Sequence, residues 1–159
     1  MKNLIFIVFL VISNCLYSQK DKISVSGNWT SDLSATDING AGNDYASSIV
    51  SATNQSLITI SPGGNSKDYV NINVLVHRED NGWDGNLTLK VKRSSGGTNG
   101  NNIISGGINF QTISNTSYIT LFSCTGEHTF VPLQYEITGI SVLLPVQTYS
   151  TTVVFTLMN

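Results

Sequence analysis

Apolar and polar residues alternate with period two along most of this chain. Ile23, Val25 and Trp29 fall on one face of their segment, with Ser24, Ser26, Asn28 and Thr30 on the other. Val70, Ile72, Val74 and Val76 alternate with Asn71 and Asn73, and Leu87, Leu89 and Val91 with Thr88, Lys90 and Lys92. Tyr149, Val153, Phe155 and Leu157 share one face of the last segment. Successive side chains of a strand point to opposite faces, so the pattern predicts strands buried on one side. Residues 57–60, 118–122 and 133–144 are further expected strands, with Gly139 marking a bulge in the last. No segment has a sustained helical period with a cap at each end.

Turn residues separate these runs. Asn39-Gly40-Ala41-Gly42-Asn43, Ser61-Pro62-Gly63-Gly64-Asn65, Asp80-Asn81-Gly82 and Thr125-Gly126 all read as turns. Residues 94–107 form a long Ser/Gly/Asn-rich loop with a short pairing expected around Ile103 and Ile104. About seven to nine strands with such frequent turns predict an all-β, two-sheet antiparallel sandwich with Greek-key, immunoglobulin-like connections. A closed barrel is the alternative.

The N-terminus follows a different plan. Met1-Lys2-Asn3 is a short positive start, residues 4–12 are unbroken apolar, and Ser18 offers a small residue for cleavage before Gln19. That is the layout of a secretory signal peptide, and the run is shorter than the roughly 20 apolar residues that span a bilayer. Cleavage leaves residues 19–159 as one domain, long enough for a core without staples. It removes Lys2 and Cys15, leaving 7 basic and 10 acidic side chains and Cys124 as a lone thiol. In the competing reading, Ile12-Ser13-Asn14-Cys15 is a lipoprotein signal and Cys15 is lipidated, with Asn14 standing where Gly or Ala is usual. The expected location is secreted or cell-surface, with no transmembrane span.

Charged residues make up 11% of the chain, against roughly 25% in an average soluble protein, so Ser, Thr, Asn and Gly must supply the polar surface. The only basic run is Lys90-Val91-Lys92-Arg93, read as a solvated strand edge, which argues against nucleic acid as a partner. Asn28, Asn54, Asn86 and Asn115 fit the glycosylation pattern, but the signal peptide has a bacterial character and no modification of that kind is expected.

Several constellations invite chemistry. In residues 37–48, Asp37, Asn39 and Gly42 match positions of a calcium loop, but Ala41 and Ser48 stand where carboxylates belong. The Asp80–Gly85 stretch has two carboxylates and lacks the downstream Glu, so no metal site is expected in either. Trp83 lies among turn residues. An exposed indole beside Asp80, Asp84 and Asn86 suits a sugar ring and its hydroxyls, so these four form the candidate ligand site. The alternative is an indole folded back as a lid on the sandwich. Trp29 is expected in the core. Cys124, Glu127 and His128 are close in sequence, as a nucleophile and base or two metal ligands would be. Yet no third orienting group or oxyanion signature accompanies them, and a zinc site needs more ligands than His77, the only other His, supplies. Glu79, Asp80 and Asp84 are carboxylates of the kind glycosidases pair, but sequence leaves their separation undefined. No catalytic residue and no cofactor is assigned.

The segment Gly139-Ile140-Ser141-Val142-Leu143-Leu144-Pro145-Val146-Gln147-Thr148-Tyr149-Ser150-Thr151-Thr152-Val153-Val154-Phe155-Thr156-Leu157 resembles the last hairpin of bacterial immunoglobulin-like surface domains and of spore coat U-type pilin subunits. There a Pro-containing turn leads into a Thr-Tyr-Ser start and an alternating terminal strand. Gln147 replaces the usual Gly, and the usual early disulfide has no counterpart. The resemblance implies a sandwich at a surface or in a fimbria. Its partners would be other protein subunits joined through sheet edges, or surface glycans. Residues 19–30 read as the first strand of their own domain rather than a strand donated to a neighbour. The expected function is structural or adhesive and not enzymatic, with a carbohydrate-binding module built on Trp83 as the alternative.

Overall fold

A computed structural model describes residues 21–33, 38, 45–63, 71–98 and 102–158. The signal-peptide region, Val70, the turn at 39–43, Gly64 and Asn65, residues 99–101 of the long loop, and Asp37, Asn39, Ala41 and Gly42 of the calcium-loop pattern lie outside the described residues. Among the described residues ten strands follow in order: β1 Lys22–Ser26, β2 Ser48–Val50, β3 Ser56–Ser61, β4 Asn71–Asn81, β5 Thr88–Arg93, β6 Ile104–Ser105, β7 Gln111–Thr112, β8 Ile119–Thr125, β9 His128–Thr138 and β10 Ser150–Met158. All pairings are antiparallel. One sheet runs β1-β3-β9-β5-β7 with β2 also on β9, and the other runs β10-β4-β8-β6.

The two sheets form the expected β-sandwich. Ile58, Ile60, Val131, Leu133, Tyr135, Leu89 and Val91 of the first sheet face Ile72, Val74, Val76, Phe122 and Cys124 of the second in one cluster. Ile72, Val74, Val76, Leu89 and Val91 are apolar members of the period-two pattern, so the alternation chose the buried face of β4 and β5; on β1 Val25 stays 44% exposed. Partly buried Ile23, Val153, Phe155 and Leu157 pack against the same core from β1 and β10. Trp29 joins them, its ring centroid 6.3 Å from that of Tyr135.

The winding is a nested ribbon. β3, β4 and β5 pair with β9, β8 and β7, and β6 sits at the tip. The ribbon is rolled so that β5 also meets β9 and β6 also meets β8. Interlocked Greek keys of this kind make a jelly-roll winding. Among the described residues no two consecutive strands pair. An immunoglobulin order, with paired neighbours D–E and F–G, differs in that respect.

Several local expectations change. β9 stops at Thr138, so residues 139–144 lie in the loop to β10, and Gly139 terminates the strand instead of bulging it. Its φ is +84°, and a Cβ there would stand 2.0 Å from the Asn86 carbonyl oxygen, which only glycine avoids. The last two strands lie in different sheets, so the segment resembling a hairpin is a crossover. The Lys90–Arg93 run is not an edge. β5 is flanked by β9 and β7, Lys90 pairs with Glu136 at 3.0 Å, and Lys92 lies over the Phe110 ring. The short pairing expected near Ile104 is present, at Cys124 and Ser123 of β8.

Candidate functional site

The four candidate ligand residues lie in or beside the loop that carries the chain from β4 to β5. Gly82, at φ +77°, turns the chain off the end of β4. Asp84 then closes an Asx turn: its Oδ1 accepts from the Asn86 backbone N–H at 2.8 Å and from Asn86 Nδ2 at 2.9 Å. The Leu87 N–H donates to the Asp84 carbonyl at 3.1 Å. Trp83 donates its indole N–H to the Leu87 carbonyl at 2.9 Å, which folds the ring back over the sandwich. There it is half-buried against the core, with the Arg78 guanidinium 5.4 Å from the ring centroid.

Asp80 is committed to neighbouring elements. It pairs with Arg78 and accepts from Asn115 Nδ2 at 2.9 Å and Thr151 Oγ1 at 3.0 Å. Arg78 also donates through Nε to the Ile113 carbonyl at 3.1 Å. Asp80 therefore joins β4 to the loop after β7 and to the start of β10. The structure gathers the four residues as two linked pairs, Asp84 with Asn86 and, through Arg78, Trp83 with Asp80. The polar side chains of all four form hydrogen bonds within the chain.

The other chemical candidates separate. Cys124 points inward from β8, and burial pushes its thiol up to about 11. A thiol held protonated this way is a poor nucleophile at neutral pH. His128 begins β9 and is fully buried, with Nδ1 and Nε2 each 3.2 Å from a carbonyl oxygen, of Gly96 and Thr125 respectively. Glu127 is exposed in the turn between them. Glu79 reaches solvent, with one oxygen 3.6 Å from His77 Nε2. The His77 ring lies beneath Tyr118 at 4.0 Å, and its Nδ1 is buried without a hydrogen-bond partner. Among the described residues no three His, Cys, Asp or Glu side chains gather in a way that could hold a metal ion. No helix there is long and apolar enough to cross a membrane.

Two exposed apolar features were missed by sequence reasoning. In the β9–β10 loop, Leu143 is 89% exposed and Val146 fully so. The signal for this was present: residues 141–146 stop alternating and contain Pro145. On β9, Phe130 is 62% exposed and has φ +56°. The phase set by Val131, Leu133 and Tyr135 places Phe130 on the solvent side, but nothing in the sequence announces its backbone conformation. A bulky side chain in this region costs roughly 1–3 kcal/mol. Comparison with protein-family models, curated proteins and solved structures finds no match to this chain.

Proposed function

We propose that this protein is an exported, non-enzymatic β-sandwich that acts at the bacterial surface or outside the cell, in adhesion or as a structural subunit. The observation that carries this reading is the β9–β10 loop. Leu143 and Val146 stand in solvent at its tip, and no charged residue occurs from 137 to the end of the chain. Apolar side chains held in water contribute nothing to folding, and clusters of them mark contact surfaces. The signal-like N-terminus and the low charge support export. β10 hydrogen-bonds along β4 alone among the described residues, so its other side is where a strand from a neighbouring subunit would add.

The test is a Leu143→Ser/Val146→Ser double variant. Stability should stay within about 0.5 kcal/mol of wild type, since both side chains are already solvated. Attachment of cells displaying the protein, or the yield of fibres seen by electron microscopy, should fall severalfold. Undiminished attachment and fibre yield would count against the reading.

A further inference from the structure

We infer that the outer face of the first sheet carries a second contact site, centred on Phe130, that takes an uncharged glycan. Phe130 sits at a β-bulge. Ile58 pairs with Val131 and Ile60 with His128, so Thr129 and Phe130 together oppose Thr59. Where a bulge residue takes a left-handed backbone, as in the G1 type, glycine is the residue of least strain. Here the position holds an aromatic ring that is mostly in solvent. Neither the backbone conformation nor the exposed ring favours folding, so a role outside folding accounts for the residue.

The surroundings define the ligand. Thr59 Oγ1 accepts from the Phe130 N–H at 3.3 Å. On the other side Thr98 and Thr129 exchange backbone hydrogen bonds at 2.8 and 2.9 Å, and Thr129 Oγ1 also donates to the Thr98 carbonyl. Gly97 fits there because a Cβ would come within 2.4 Å of the Thr129 carbonyl oxygen, so no side chain rises beside the aromatic at that position. Segments 56–61, 94–98 and 129–133 contain no Asp, Glu, Lys, Arg or second aromatic residue. The ring is bordered by threonines, and Ser24 of β1 stands opposite Thr59. The first charge on that strand is Lys22, one step further along opposite Ser61. The immediate border of the ring is therefore polar and uncharged and matches a neutral sugar. Its C–H face stacks on the ring and its hydroxyls meet Thr hydroxyls. A basic ligand would find no carboxylate in these segments, and an acidic one only Lys22 and Arg93 outside them, which is why an acidic polysaccharide belongs in the test.

The site is distinct from the β9–β10 loop and gives the adhesive reading a ligand class. The test is affinity electrophoresis of the full exported chain through gels containing cellulose derivative, glycol chitin, xylan or dextran, with alginate as the acidic comparison. At least one neutral polysaccharide should retard the wild type. Phe130→Gly should weaken that retardation at least tenfold while remaining folded by circular dichroism, and Phe130→Tyr should keep it. The inference is overturned if no neutral polysaccharide retards the wild type, if alginate alone does, or if Phe130→Gly binds as well as wild type. Cell attachment that survives Phe130→Gly but is lost in the Leu143→Ser/Val146→Ser variant would sink this site and leave the adhesive reading standing.

Discussion

Replacing Trp83 with Ala separates an indole that holds the sandwich together from one that awaits a ligand. An aromatic side chain buries on the order of 150–250 Å² when fully enclosed. Half of that, at about 25 cal/mol per Å², is roughly 2–3 kcal/mol. The N–H bond to the Leu87 carbonyl adds about 1 kcal/mol, and the Arg78 contact about 0.5 kcal/mol at a partly exposed site. The expected loss is therefore about 4 kcal/mol, near the middle of the range for large-to-small aromatic truncations. Trp83→Phe keeps most of the buried area and the Arg78 contact but not the N–H, so it should lose only about 1 kcal/mol. Urea denaturation followed by far-ultraviolet circular dichroism measures both without relying on the tryptophan itself. A Trp83→Ala protein within about 0.5 kcal/mol of wild type refutes the lid. If polysaccharide binding vanished in that equally stable variant, Trp83 would be a ligand platform.

Further outcomes follow from particular contacts. Gly139→Ala places a Cβ against the Asn86 carbonyl at a positive φ, so the chain should lose several kcal/mol or fail to fold, read as yield of soluble protein and urea midpoint. Cys124 should resist Ellman's reagent at pH 8 in the native state and react fully in urea. Its folded pKa of about 11 lies above the ordinary thiol value near 9, so its contribution to stability is fully present below about pH 9 and is lost as pH rises through 11. Burial raises Tyr135 in the same direction, with the Ser56 hydrogen bond opposing it. Cys124→Ala should therefore flatten part of the alkaline fall in stability, measured as urea midpoint against pH.

Strand existence and the buried face of most strands were legible in the sequence, because alternation is a local property of the extended backbone. Ile72, Val74, Val76, Leu89, Val91 and Phe155 all lie on the faces that their spacing predicts. Of the short strands only β6, at Ile104, was legible. β2 and β7 contain three and two residues, and they exist only because β9 and β5 offer them partners. Strand ends were equally hidden, since Gly139 ends β9 through a contact with Asn86, far away in sequence.

The candidate site divides along the same line. Sequence placed Asp80, Trp83, Asp84 and Asn86 near one another, and local turn chemistry keeps them so. What each side chain does was decided by distant residues: Asn115 and Thr151 engage Asp80, and the sandwich end receives the Trp83 ring. By itself the sequence determined an all-β chain with one buried face per strand, because side-chain direction repeats every two residues. Only the tertiary structure decided which strands pair, which polar groups are already engaged, and that Phe130 takes a positive φ at a bulge opposite Thr59. Those outcomes depend on contacts between segments tens of residues apart, for which a periodic local pattern holds no information.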